Sequence, residues 1–126
     1  MIVADSDVLI DALAGREPAA QRVRAELASG ALATTVVTVF ELLSGAATTK
    51  VRNRIERLFA ALTILPLHEG AGRRAADIRR ELEAEGSPIG MADYLIAGVC
   101  LSRSAALLTR NRGHFERVPG LVLAQL

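Results

Sequence analysis

The sequence predicts an α/β fold: a central parallel sheet of about four to five short strands flanked by helices. Three observations carry that expectation. Short apolar runs without polar alternation, beginning with Ile2-Val3-Ala4, suit strands buried on both faces. Longer segments with helical spacing separate those runs. Glycine or proline punctuates most junctions, at Gly15, Pro18, Gly30, Pro66, Gly86 and Pro88. Strands that alternate with helices imply parallel pairing, with helices packed on both faces of the sheet.

Residues 2–5 read as the first strand, ending in Asp5. A helix over 7–14 follows, with Asp7 placed to cap it and Gly15 to end it. Pro18 opens a second helix that runs to about Ser29 and closes at Gly30. Residues 31–34 form a second strand, and residues 36–47, apolar nearly all round, predict a buried helix. Residues 49–61 form an amphipathic helix with Val51, Ile55, Leu58, Phe59 and Leu62 on one face. A third strand over 63–66 is broken by Pro66. The helix over 69–85 is polar, and Arg73–Asp77 and Arg79–Glu83 match i,i+4 pairing on a solvated face. A helix over 91–102, a strand over 105–109, a loop at 110–113 and a last short strand over 121–124 complete the order. Sites in such sheets form beyond the carboxyl ends of strands, near a topological switch point. Asp5 and the segment from Thr109 to Asn111 both stand where that rule places chemistry.

At 126 residues, half of them hydrophobic, the chain suits one domain (1–126) with one ample core. No apolar run approaches the roughly 20 residues that span a bilayer, and the N-terminus lacks the pattern of a secretory signal. A cytoplasmic protein is expected. Cys100, the single cysteine, lies in an apolar helical pattern and reads as a small buried hydrophobe. The net charge of +1 excludes nothing by itself. Lys50 is the only lysine among many arginines, which fits compositional bias better than a dedicated phosphate-binding surface.

Three acidic residues stand out because each interrupts apolar sequence: Asp5, Glu41 and Asp93. Desolvating an ionised carboxylate costs several kcal/mol unless something compensates it. Convergence around a divalent cation would compensate all three at once. Asp93 heads a stripe formed with Ile96, Ala97, Cys100 and Leu101, so it faces the sheet, although a first-turn Asp also suits the helix dipole. Glu41 lies in a segment where no rotation exposes it well, with a buried arginine pair as the alternative. Asp7 is accounted for as a cap, with support of a metal's ligands from behind as an addition, and Asp11 as part of a solvated face.

These residues carry a family resemblance. The chain resembles the PIN-domain ribonucleases, specifically VapC-type toxins of toxin–antitoxin pairs. The matching segments are Met1 to Ile10 with Asp5-Ser6-Asp7, Thr38-Val39-Phe40-Glu41-Leu42, Ile89 to Ala97 around Asp93, and Leu107 to Phe115 with Asn111. They span the chain in the family's order. The resemblance implies a PIN-like sandwich in which Asp5, Glu41 and Asp93 hold Mg²⁺ or Mn²⁺ and, with Asn111, form the catalytic set for RNA phosphodiester hydrolysis. It suggests products with a 5′ phosphate and a 3′ hydroxyl. Asn111 occupies a position that is often acidic in the family, so one firmly bound ion is expected, with a second arriving, if at all, with RNA. Arg110, Arg112 and Arg117 are nominated for RNA backbone contacts, and His114 reads as a structural surface histidine rather than a ligand or phosphate contact.

The resemblance also implies a cognate antitoxin that covers the acidic pocket, and a homodimer. Leu42, Leu43, Leu58 and Phe59 are candidate lining for either contact, with core as the plainer reading. Two rival classes remain. A non-catalytic module of the same fold is one. The other is a haloacid-dehalogenase-like phosphatase, suggested by the strand ending in Asp5-Ser6-Asp7; that reading lacks a lysine near a strand end and a second acidic neighbour for Asp93.

Overall fold

The computed structural model describes all of residues 1–126. Its elements are β1 (Ile2–Ala4), α1 (Ser6–Leu13), α2 (Ala19–Ser29), β2 (Leu32–Thr35), α3 (Val36–Ser44), α4 (Thr49–Ala61), β3 (Thr63–Leu65), α5 (Glu69–Ala84), α6 (Met91–Ser102), β4 (Ala106–Leu108) and α7 (Arg112–Phe115). The four strands form one sheet in the order β3-β2-β1-β4, and every pairing is parallel. The register sets Val3 beside Leu107 and Ala33, and Ala4 beside Leu108.

Strand periodicity then sorts the apolar residues between two layers. Val3, Ala33 and Leu107 face the helices α5, α6 and α7; Ala4, Leu32 and Leu108 face α1 to α4. Because β1 pairs with β2 on one side and β4 on the other, the chain reverses direction across the sheet between β3 and β4. The crevice beyond the carboxyl ends of β1 and β4 is therefore the switch point.

Several junctions differ from the sequence reading. Asp5, not Asp7, caps α1: its Oδ1 accepts the Ser6 N–H at 2.8 Å, so the helix begins the moment the strand ends. Thr35 caps α3 by accepting the Thr38 N–H at 3.1 Å. α3 is not buried on all sides, since Val36 and Phe40, one turn apart, are exposed, Phe40 by 71%. α5 buries one stripe, Ala71, Ala75, Ile78 and Leu82, against α6. On its outer face Arg73 pairs with Glu69 rather than Asp77. The segment 110–113 is not simply a loop, because α7 begins at Arg112 around the fully buried Phe115. The last short strand reduces to one bridge between Leu107 and Leu123. No helix is long and apolar enough to cross a membrane.

Candidate active site

Each acidic residue is delivered to the switch point by a different element. Asp5 leaves β1 and Asp7 sits in the first turn of α1. Glu41 comes from the middle of α3, and Asp93 from the first turn of α6. Asp5 is 6% exposed and held by two donors, the Ser6 N–H on Oδ1 and the Thr109 hydroxyl on Oδ2, both at 2.8 Å. Asp7 Oδ2 accepts the Arg110 N–H at 3.0 Å. The strand end of β4 is thus tied to α1 twice.

The carboxylates stand close enough to repel one another. Burial pushes the Asp5 carboxyl up to about 6, the Thr109 hydroxyl opposes the shift, and Asp7 and Asp93 add repulsion. Glu41 is also raised, first by desolvation, then by repulsion from Asp5 and Asp93, with the Ser6 hydroxyl offsetting part of it. Asp7 is raised mainly by burial. Glu41 Oε1 and Asp7 Oδ1 are buried without any hydrogen-bond partner. The carboxylates lie within electrostatic reach of one another but are not drawn into a closed cage of three ligands. Hard oxygen donors, orphaned lone pairs and carboxyls that resist ionisation fit an Mg²⁺ or Mn²⁺ ion, which would relieve all three strains together.

The structure joins Asn111 and His114 to this group. The Asn111 N–H donates to Thr109 Oγ1 at 3.0 Å. His114 Nδ1 stands 2.9 Å from Asp93 Oδ2 and 2.9 Å from Asn111 Nδ2. His114, its side chain 41% exposed, is thus a surface histidine with a structural role, joined to both Asp93 and Asn111. Asp11 corrects another expectation: it is 8% exposed, and Arg16 and Arg110 grip its two oxygens at 3.3 and 2.9 Å. The nominated arginines have partners of their own, and of the three only Arg110 is tied to the acidic group. Arg110 pairs with Asp11, Arg112 donates to the Ala124 carbonyl, and Arg117 to the Pro88 carbonyl. Each guanidinium retains further donors.

Ser6 was not singled out by sequence, and Thr109 was marked only as the start of the segment leaving β4, without its partner. A signal existed for Thr109, a lone hydroxyl closing an apolar strand, but its partner Asp5 is far away in the chain. Beside Glu41, α1, α3 and α4 enclose a groove of about 310 Å³, mostly apolar, lined by Ile10, Leu13, Leu42, Val51 and Ile55, with Arg54 also on its wall. Of the four residues nominated for a partner contact, Leu42 lines it. Phe59 is buried in the core, and Leu43 and Leu58 are partly buried against that core.

Comparison with known proteins agrees with this architecture. The chain belongs to the PIN-domain family, whose model matches residues 2–121. Its relatives place it among the VapC proteins. Ribonuclease VapC10 of Mycobacterium tuberculosis is 37% identical over 115 residues, which cover 91% of this chain and 86% of the relative. The tRNA(fMet)-specific endonuclease VapC of Shigella flexneri is 35% identical over 109 residues, 83% of each chain. The crystal structure of VapBC-5 from Mycobacterium tuberculosis, a member of the VapBC family of toxin–antitoxin systems, matches with a TM-score of 0.61 at 27% identity, over 75% of this chain and 82% of that one.

Proposed function

We propose that this chain, as one nuclease domain over residues 1–126, is the endoribonuclease toxin of a toxin–antitoxin pair and acts in the cytoplasm. The observation that carries the reading is the convergence of Asp5, Glu41 and Asp93, from three separate elements, where they repel one another and where Glu41 and the neighbouring Asp7 each keep a buried oxygen unpaired. Relatives named as a ribonuclease and a tRNA endonuclease support the reaction class.

In this reading Asp5, Glu41 and Asp93 hold Mg²⁺ or Mn²⁺. Once bound, the cation supplies a lowered pKa for an attacking water and positive charge for the crowded phosphate. The protein's own contribution is positioning. Thr109 and the Ser6 N–H fix the Asp5 carboxylate. Asp7 fixes the backbone at Arg110, which sets Asn111 at the rim, where its amide can orient water or the scissile phosphate. Arg110, bonded beside Asp7 and Asp11, and Arg112 and Arg117 on the segment that follows it offer donors suited to the flanking RNA phosphates.

The antitoxin is assigned to the apolar groove beside Glu41. A segment lying against Ile10, Val51 and Ile55 reaches Glu41 directly, and a cationic side chain there would neutralise the carboxylates in trans. A homodimer is supported by Val36, Phe40 and Met91, large apolar side chains left exposed. The reading is tested by sequencing RNA 5′ ends after brief expression of wild type and Asp93→Ala, with chelator controls in vitro. Wild-type cleavage that needs Mg²⁺ or Mn²⁺ and disappears in the variant is expected; identical cleavage maps would remove Asp93 from the role.

A further inference from the structure

Two of the three carboxylates are joined by a continuous polar chain on the protein side of the pocket. Thr109 Oγ1 donates to Asp5 Oδ2 at 2.8 Å and accepts the Asn111 N–H at 3.0 Å. The Asn111 side chain meets His114 Nδ1 at 2.9 Å, and that same nitrogen meets Asp93 Oδ2 at 2.9 Å. An ionised carboxylate only accepts, so His114 Nδ1 serves Asp93 only when it carries the proton. A bare Nδ1 would face the carboxylate lone pair to lone pair. With the proton on Nδ1, the Asn111 amide must turn its oxygen toward the ring, since its NH₂ would otherwise face a second donor at 2.9 Å.

Both ends of this chain therefore commit the Oδ2 oxygen, and Asp93 keeps Oδ1 for whatever occupies the pocket. The ring is set by its neighbour, since Phe115 is fully buried and Val118 nearly so, which pins the short turn that carries His114. Mg²⁺ and Mn²⁺ take single oxygens in octahedral geometry near 2.1 Å, roughly, whereas Ca²⁺ takes more ligands at longer distance and often both oxygens of one carboxylate. A carboxylate with one oxygen already engaged suits the first kind of ion and penalises the second.

We propose that His114 is a positioning residue that holds Asp93 to single-oxygen ligation, so that the pocket admits Mg²⁺ or Mn²⁺ and rejects Ca²⁺. This rests on reading Asp5, Glu41 and Asp93 as the cation site. It assigns His114 a role in ion selection through Asp93, without direct ligation.

The test is calorimetric titration of the intact chain with Mg²⁺, Mn²⁺ and Ca²⁺, for wild type, His114→Ala, His114→Asn and Asp5→Asn, each checked for a cooperative melt. Wild type should prefer Mg²⁺ over Ca²⁺ by tenfold or more. His114→Ala should weaken Mg²⁺ by roughly tenfold, the usual cost of losing an outer hydrogen-bond partner, while Ca²⁺ affinity holds or rises. His114→Asn, which offers an amide N–H where Nδ1 stood, should restore much of the preference. An unchanged Mg²⁺-to-Ca²⁺ ratio in His114→Ala overturns the proposal. So does nitrogen coupling in pulsed electron paramagnetic resonance of bound Mn²⁺ that vanishes with His114, because the ring would then be a ligand. If no cation binds wild type, and Asp5→Asn is indistinguishable from it, the cation site itself fails and the proposal falls with it.

Discussion

The layer made by α5 and α6 and the carboxyl end of the sheet are built on opposite terms. In the first, Ala71, Ala75, Ile78 and Leu82 close on α6 so tightly that Gly98 lies directly beneath α5; a Cβ there would sit 2.5 Å from the Ala71 carbonyl oxygen. Even a buried hydroxyl in this layer is matched, since Tyr94 accepts the Ile89 N–H at 3.0 Å. At the carboxyl end, like charges face one another, and both unpartnered buried side-chain oxygens of the structure belong to it, on Asp7 and Glu41. One region is packed for stability. The other carries strain that a bound cation and substrate would relieve.

Substitutions in the two regions should therefore move stability in opposite directions. The largest effect is expected at Gly98→Ala, where the added methyl meets backbone atoms of Ala71 and Ala75 that cannot turn aside. Overpacking of this kind should cost about 3 kcal/mol, read as a lower denaturant midpoint at unchanged slope. Asp5→Asn should do the reverse. With the buried charge gone, metal-free protein at pH 7.5 should gain about 2 kcal/mol, somewhat below the full worth of the shift, while RNA cleavage is lost.

The same carboxyl predicts a pH dependence. Its native pKa of about 6 lies above the unfolded value of 3.8, so the native state holds the proton more tightly. From pH 7.5 down to 5 the metal-free native protein gains a proton that the unfolded chain does not, and stability rises by about 1 kcal/mol. Below the unfolded value both states are protonated and the gain levels off. Glu41 and Asp7, also raised, act in the same direction. Thermal melts across that range check it, and a stability that falls steadily below pH 7 would contradict it. The smallest effect belongs to Arg73→Ala. Its pair with Glu69 is exposed on both sides, so the melting temperature should stay within measurement error.

The sheet and the acidic residues were legible because both leave local marks. Three carboxylates inside apolar sequence had to be compensated, and strand ends in a parallel sheet have a known relation to sites. Contacts bridging distant segments were not legible. Thr109 holds Asp5 across 104 positions, and His114 reaches Asp93 across 21, because β4 and α7 fold back over the switch point. Asp11 looked solvated for the same reason, since Arg110, its nearer guanidinium, arrives from the far end of the chain. α3 misled in the other direction. Its unbroken apolar composition implied burial, yet Val36 and Phe40 face outward, a pattern that anticipates a partner more than a core.

If Asp5, Glu41 and Asp93 hold a divalent cation, binding should relieve the strain at the carboxyl end of the sheet. This relief is tested most directly by melting wild type and Asp5→Asn at pH 7.5 with and without millimolar Mn²⁺. Mn²⁺ should raise the wild-type Tm by several degrees and leave the variant, already the more stable of the two without metal, where it was. A wild type indifferent to Mn²⁺, or a variant that responds equally, would contradict it.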